Sequence, residues 1–123
     1  MTTLVRELVK GMLEPTFEVS GTVDNGKALV ETARRLQPDV IITDISMPIL
    51  GGIEAAEQLK ESGSRAKVVF LTVHSDPDFV RACLNAGASG YVLKLRLDSD
   101  LLLAVREALA GRIFLCPTGD PQN

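Results

Sequence analysis

Three short runs of apolar residues, each followed within two positions by a polar residue, constrain this chain most strongly. The runs and the polar residues behind them are Val40–Ile42 with Asp44, Val68–Leu71 with Thr72, and Gly90–Leu93 with Lys94. Continuous apolar runs of this length are typical of strands that are buried on both faces of a sheet. Amphipathic stretches at helical spacing separate the runs, so the sequence predicts βαβ units and a mostly parallel α/β sheet.

The remaining patterns fill in the order of elements. Apolar residues at helical spacing predict a first helix over Leu4–Leu13 and a final helix over Asp98–Leu109. Asp76 followed by Pro77 predicts a helix N-cap and the first helical position. Alternation of apolar and polar residues over Phe17–Val23 predicts a further strand with one exposed face. The series therefore begins with a helix that has no strand before it.

Composition excludes several classes of function. The chain has 123 residues, enough for one core, and its net charge of −3 gives no electrostatic reason to bind nucleic acid or an anionic membrane. Aromatic residues make up only 4%, and two cysteines with a single histidine form no zinc-spaced cluster. Neither a signal peptide nor a membrane-spanning run is present in the sequence, so a cytoplasmic domain is expected.

The polar residues behind the three apolar runs predict a reactive site. In an open parallel sheet, the ligand crevice lies beyond the carboxyl ends of the strands, where Asp44, Thr72 and Lys94 are expected to meet. A carboxylate nucleophile, a hydroxyl and an ammonium group suit an incoming phosphoryl group, which Asp44 would accept as an acyl phosphate. Each residue by itself could simply cap a strand end, but the three together favour the reactive site.

At this point the sequence resembles a known family, the receiver domains of bacterial two-component response regulators. The motifs that carry the resemblance are Pro38–Pro48, Gly51–Gly52, Val68–Thr72 and Ala86–Lys94, and the likeness extends from Leu4 to Pro117. It implies a flavodoxin-like doubly wound parallel sheet, with a receiver domain over residues 1–117 and a tail or linker over 118–123. His74–Asp76 together with Ala110–Leu115 resembles the LuxR-type subfamily.

The resemblance also implies roles for individual residues. Asp44 would be the phosphoacceptor, Thr72 the switch hydroxyl, Lys94 the lysine that pairs with the phosphoryl group, and Tyr91 the aromatic residue that changes rotamer on activation. The backbone carbonyl of Ser46 would bind Mg²⁺ together with Asp44. The domain would be a signalling module rather than an enzyme.

Partners follow from the same resemblance. A histidine kinase, or a small acyl phosphate, would donate the phosphoryl group. DNA would be bound only through a helix-turn-helix output domain that this chain does not contain, and a homodimer is expected. No membrane partner is expected.

One part of the family pattern has no counterpart in this sequence. Family members begin with an apolar strand that ends in an acidic pair, which holds Mg²⁺ beside the phosphoacceptor, whereas here only Met1–Thr3 precede the first helix. We therefore expect an N-terminally truncated receiver that lacks the first strand and binds Mg²⁺ weakly or not at all. Either the Phe17–Val23 strand pairs directly with Val40–Ile42, or the open edge pairs with another copy. The second is favoured.

Two other functions stay open at this stage. A pseudo-receiver that acts as an interaction or dimerisation module would explain the missing acidic pair. A phosphatase of the haloacid-dehalogenase type would also use a strand-end aspartate, but it places a second aspartate two residues later. Ser46 stands at that position, so this alternative ranks last.

Overall fold

A four-stranded parallel sheet forms the middle layer of the computed structural model, which describes residues 9–19, 21–73 and 76–115. The strands follow one another across the sheet in chain order, and each pairs in parallel with the next. Their bounds are β1 Val40–Asp44, β2 Lys67–Thr72, β3 Gly90–Leu93 and β4 Phe114–Leu115. The predicted α/β class and parallel sheet are thus confirmed.

Helices connect the strands and cover the sheet. The first helix, α1, is described over residues 9–13, and its predicted start at Leu4 lies outside the described residues. The others are α2 Gly26–Leu36, α3 Gly52–Glu61, α4 Pro77–Asn85, the short 3₁₀ turn η1 Lys94–Arg96, and α5 Leu97–Leu109. None of the helices in the described ranges has the length and apolar character that crossing a membrane requires.

The sheet buries both of its faces, because alternate residues of each strand point to opposite sides. On one face, Ile41, Phe70 and Tyr91 pack in a core with α2, α3 and α4. On the other face, Val69 and Val92 pack in a second core with α1 and α5. Helices on both faces give the doubly wound arrangement that the sequence predicts.

The helix starts follow local chemistry that the sequence already shows. Asp76 caps α4, because its carboxylate accepts a hydrogen bond from the backbone N–H of Asp78 at 2.8 Å, with Pro77 in the first turn. Asn25 caps α2 in the same way, because its side-chain oxygen accepts a hydrogen bond from the backbone N–H of Ala28 at 2.8 Å.

The strand predicted over Phe17–Val23 is wrong for every described residue of that stretch. Residues 17–19 and 21–23, which we call the 17–23 segment, form no strand and pair with none of the four strands. An alternating pattern becomes a strand only when a neighbour supplies backbone partners, and β1 does not pair with this segment. The direct pairing of the segment with Val40–Ile42 considered from the sequence is therefore not formed.

A fourth strand arises instead at the opposite edge of the sheet. The two-residue β4 pairs with β3, with Phe114 opposite Gly90 and Leu115 opposite Tyr91. No sequence pattern predicts this strand, because two residues are too few for a period-two alternation to be visible. The expected tail over residues 118–123 lies outside the described part of the chain.

Candidate functional site

The register of the sheet brings the polar ends of three strands to one edge. Asp44, the last residue of β1, lies opposite Leu71, and Thr72, the last residue of β2, lies opposite Leu93. Lys94 follows Leu93 directly. The carboxyl ends of β1, β2 and β3 thus meet at the place where open parallel sheets form their crevices.

Asp44 and Lys94 form an ion pair across this edge. The Nζ atom of Lys94 lies 2.8 Å from Oδ1 of Asp44, and the two side chains are 27% and 5% exposed respectively. A carboxylate this deeply buried requires a cation or donors to offset its lost hydration. The pair therefore holds a charged nucleophile at a nearly buried position, with one side of the lysine open to solvent.

Thr72 and Tyr91 lie deeper than the ion pair. Thr72 is 3% exposed at the end of β2, and Tyr91 is 1% exposed in the middle of β3. The ring of Tyr91 belongs to the core that includes α4, with Phe70 as its neighbour in β2. Each of the two residues forms at least one polar or ring contact with another residue. In this conformation the tyrosine is therefore a core side chain.

The backbone around Asp44 is held by close packing behind it. The hydroxyl of Thr43 donates to the backbone oxygen of Asp44 at 3.0 Å, and the N–H of Gly52 donates to the backbone oxygen of Ile45 at 2.8 Å. A Cβ atom at Gly52 would collide with the backbone oxygen of Asp44. Only glycine lets α3 begin this close to the end of β1.

The loop between β1 and α3 contains a strained turn. Ile49 has φ of 70°, and the N–H of Leu50 donates to the backbone oxygen of Pro48 at 2.7 Å. A three-residue turn around a β-branched residue at positive φ is rare and costs energy. Strained turns of this kind are concentrated at functional sites, and this one lies between Asp44 and the start of α3.

A second ion pair, absent from the predicted site residues, lies at the turn that carries Lys94. Nε of Arg96 lies 3.0 Å from Oδ2 of Asp100, and the hydroxyl of Ser99 lies 3.0 Å from Oδ1 of the same carboxylate. Asp100 is 4% exposed. The signal was present in the sequence, because arginine and aspartate four residues apart lie side by side on a helical turn.

The described donors do not make up a magnesium site of ordinary strength. Mg²⁺ takes six oxygen ligands, normally including one or two carboxylates. Asp44 offers one carboxylate, already paired with an ammonium group, and the exposed Ser46 could add a backbone carbonyl. Within residues 9–19, 21–73 and 76–115 there is no cluster of three acidic, histidine or cysteine side chains that could hold a metal.

The remaining reactive side chains stay outside the site. Cys83 is fully buried in α4, and burial raises the pKa of its thiol to about 12. Such a thiol is an inert core residue rather than a nucleophile. His74 and Cys116 lie outside the described residues.

Comparison with known families matches this architecture to a single domain type. The model of the response regulator receiver domain matches residues 2–106, which is most of the chain. The match includes all four residues of the candidate site, namely Asp44, Thr72, Tyr91 and Lys94.

Curated relatives are transcriptional regulators. The chain is 40% identical over 117 residues to the transcriptional regulatory protein DegU of Brevibacillus brevis, which covers 93% of this chain and 49% of that protein. It is 34% identical over 111 residues to the nitrate/nitrite response regulator protein NarL of Escherichia coli (strain K12), covering 90% and 50%. The chain therefore spans about half the length of these relatives.

Solved structures agree with the sequence comparison. A LuxR-family two-component response regulator from Aurantimonas sp. SI85-9A1 superposes with a TM-score of 0.88 at 29% identity, covering 94% of this chain and 84% of that one. The signal receiver domain of the putative response regulator NarL from Mycobacterium tuberculosis superposes with a TM-score of 0.84 at 30% identity, covering 89% and 90%. The chain belongs to the receiver-domain family of two-component response regulators, with relatives of the LuxR and NarL type.

Proposed function

We propose that this receiver domain takes a phosphoryl group on Asp44. The observation that carries the proposal is the ion pair at the carboxyl edge of the sheet, where Lys94 Nζ lies 2.8 Å from Asp44 Oδ1. The carboxylate is the nucleophile, and the ammonium group of Lys94 offsets its lost hydration at this buried position. The ammonium group is also placed to neutralise the negative charge that a phosphoryl group brings to this position.

The chemistry needs few groups besides these. An oxygen of Asp44 attacks the phosphorus atom, an O–P bond forms, and the bond from phosphorus to the donor breaks with its electron pair on the donor. Lys94 then moves from the carboxylate to a phosphoryl oxygen, a short shift for a flexible side chain that is 27% exposed. The hydroxyl of Thr72, at the end of the neighbouring strand, would donate to a second phosphoryl oxygen.

A switch follows from the burial of the two residues behind the site. If Thr72 turns toward the phosphoryl group, it vacates space beside β3, and the buried ring of Tyr91 can change rotamer. Phosphorylation would then bias a two-state surface formed by α4, β3 and α5. Amide-exchange changes confined to the 17–23 segment and α2 would contradict this part of the proposal.

The partners belong to the same proposal. Receiver domains are typically signalling modules without enzymatic activity, and we propose that a histidine kinase supplies the phosphoryl group in the cytoplasm. DNA would be bound through an output domain outside this chain, as the regulatory names of the relatives suggest. We also propose a homodimer, since one solved relative is described as RcsB dimers bound to two parallel DNAs. Mg²⁺, expected of the family, would bind weakly to the donors described.

A second candidate function rests on the single carboxylate at the site. Because Asp44 is the one carboxylate paired with Lys94 among the described residues, and the donors there fall short of a magnesium site, the domain could act without phosphate, as an interaction or dimerisation module. This pseudo-receiver would keep the Asp44–Lys94 pair as a structural contact at the edge of the sheet.

Treatment with acetyl phosphate separates the two functions. The chain is incubated with acetyl phosphate with and without Mg²⁺, and its intact mass is measured over time. We expect the gain of one phosphoryl group, slowed when a chelator removes Mg²⁺. Asp44→Asn should abolish the gain.

The matched control is Asp39→Asn, which removes the exposed aspartate just ahead of β1 and should leave the gain unchanged. A phosphoryl group that persists in Asp44→Asn would overturn the assignment of the acceptor. No gain in the unmodified chain under any condition would favour the pseudo-receiver.

A further inference from the structure

The turn η1, which carries Lys94 from the sheet into α5, has little apolar packing of its own. Leu93, just before the turn, is buried in the core shared with α2, α3 and α4, and Leu97, just after it, is buried in the core shared with α1 and α5. The chain therefore crosses from one face of the sheet to the other within three residues. Inside the turn, Leu95 is 91% exposed, so its apolar side chain does not hold the turn in place.

A polar cluster at the start of α5 supplies the contact that the turn lacks. Both carboxylate oxygens of the buried Asp100 are engaged, with Nε of Arg96 at 3.0 Å from Oδ2 and the hydroxyl of Ser99 at 3.0 Å from Oδ1. The same hydroxyl lies 3.3 Å from the backbone oxygen of Arg96. The cluster therefore ties both the side chain and the backbone of the last residue of η1 to the first turn of α5.

The start of α5 differs from the start of α4 in how it is fixed. Asp76 caps α4 through its side chain, whereas Arg96, at the corresponding position of α5, makes no side-chain cap. Helix starts without a cap leave backbone N–H groups without an intrahelical partner and are prone to fray. The join between η1 and α5 therefore depends on the ion pair between Arg96 and Asp100.

Stability alone does not account for a buried carboxylate at this place. Asp100 gives up nearly all of its hydration, and buried ion pairs can often be replaced by apolar residues without loss of stability. The pair is, however, placed to act on Lys94, because Arg96 ends the same three-residue turn that Lys94 begins. Restraining this turn also restrains the backbone from which the ammonium group reaches Asp44.

We infer that Asp100 is a positioning residue for Lys94. Through Arg96 it holds η1 where Nζ of Lys94 reaches the carboxylate of Asp44, at 2.8 Å, and where the same ammonium group can follow a phosphoryl oxygen. A lysine stem is flexible, so the accuracy of its charge depends on how firmly its backbone is held. The phosphoryl part of this inference rests on the proposed function, whereas the effect on the Asp44–Lys94 pair does not.

The coupling between Lys94 and Asp44 separates a positioning role from a merely structural one. A double-mutant cycle of Lys94→Met and Asp44→Asn, followed by urea unfolding, is measured in the unmodified chain and again in an Asp100→Asn background. We expect the coupling to fall to less than about half, because the lysine is no longer held beside its partner. If Asp100 only stabilised α5, the domain would lose stability and the coupling would stay the same.

Two further variants control this measurement. Asp98→Asn makes the same substitution at an exposed carboxylate of the same helical turn and should leave the coupling unchanged. Asp100→Glu keeps the charge that pairs with Arg96 and should restore most of the coupling.

The rate of phosphorylation tests the same inference at the reaction itself. The chain is treated with acetyl phosphate and Mg²⁺, and the gain of a phosphoryl group is followed by intact mass. Asp100→Asn should slow the gain about tenfold, since small misplacements of a charged group reduce rates strongly, and Asp98→Asn should leave it unchanged. Added to Lys94→Met, Asp100→Asn should slow the gain no further, because a residue that acts through the lysine has no effect once that charge is removed.

The outcomes distinguish this inference from the proposed function. A coupling that Asp100→Asn leaves unchanged, or that Asp98→Asn lowers equally, would overturn the positioning role even in a chain that takes the phosphoryl group normally. A chain that takes no phosphoryl group would contradict the proposed function, and the coupling would still decide the role of Asp100. If Asp100→Asn does not fold, Arg96→Lys replaces it at a partly exposed position, and an unchanged coupling there would equally overturn the inference.

Discussion

β1 and β2 are neighbours in one sheet, but among the described strands β1 lies at the edge of the sheet and β2 in its interior. β2 pairs with strands on both edges, and Val69, Phe70 and Leu71 have no exposed surface. Within the described ranges β1 pairs on one edge only, and two of its five residues remain half-buried. The two strands have similar apolar sequences, so the difference comes from their neighbours and not from their composition.

The comparison shows that the Asp44–Lys94 pair forms although no described strand pairs with the outer edge of β1. The end of β1 is held from behind, by Gly52 packed on the backbone of Asp44, and from the side, by Lys94. These contacts lie at the carboxyl end of β1, whereas the half-buried Val40 and Ile42 lie along the strand. The end of β1 that carries the site is therefore packed more closely than the rest of the strand.

The largest expected effect is on the rate at which a cysteine buried in the core is alkylated. The Cys116→Ser variant leaves Cys83 as the only cysteine of the chain. Because burial raises the pKa of Cys83 to about 12, its thiolate fraction at about pH 8 falls roughly thousandfold below that of an ordinary thiol. Alkylation by iodoacetamide, followed by intact mass, should be correspondingly slow, and should become fast in urea. Rapid labelling of the native chain would show that the interior opens as readily as the edge.

Next in size is a glycine substitution behind the site. Gly52→Ala should destabilise the domain by about 3 kcal/mol, because the new Cβ collides with the backbone oxygen of Asp44. Gly11→Ala is the matched control, since that helical glycine has open space around it and alanine favours helices. Chemical denaturation measures both changes. If both substitutions changed the free energy of unfolding by equal, small amounts, the close packing of Gly52 on the end of β1 would be contradicted.

Two valines on the same face of the sheet compare the strands directly. Val69→Ala should cost about 2 kcal/mol, because it removes fully buried methyl groups from a packed core. Val40→Ala should cost less than about 1 kcal/mol, since this valine is only half-buried in the folded chain. Urea unfolding of the two variants gives the difference. A larger cost for Val40→Ala would show that the outer side of β1 is covered.

A further effect of similar size concerns the ion pair. Lys94→Met keeps the apolar stem and removes the charge that faces Asp44, and should destabilise the native domain by about 1–2 kcal/mol. In the double variant with Asp44→Asn, the additional cost of the lysine substitution should nearly vanish. A double-mutant cycle by urea unfolding provides the coupling. Additive effects would contradict a direct interaction at 2.8 Å.

The sequence predicted the parts of the fold whose signals are local. The apolar runs at Val40, Val68 and Gly90 became strands, and the cap at Asp76 begins its helix. Convergence of Asp44 and Lys94 followed from topology alone, because parallel strands end at the same edge. Their chemical roles stay predictions.

The failures arise where the outcome depends on distant partners. The 17–23 segment has the alternation of a strand, but alternation alone does not supply backbone partners, and none of the described strands pairs with it. The pairing of Arg96 with Asp100 was visible as a spacing, but its effect on Lys94 depends on how η1 packs. Burial of Tyr91 similarly results from contacts between strands and helices that are far apart in sequence.

Amide hydrogen exchange of the native chain, resolved by residue, tests the contrast between β1 and β2 most directly. The account predicts that the backbone amides of β1 that point away from β2 exchange at least roughly a hundredfold faster than the amides of β2 and β3. Equal protection of both edges of β1 in the free chain would contradict the open edge on which the comparison rests.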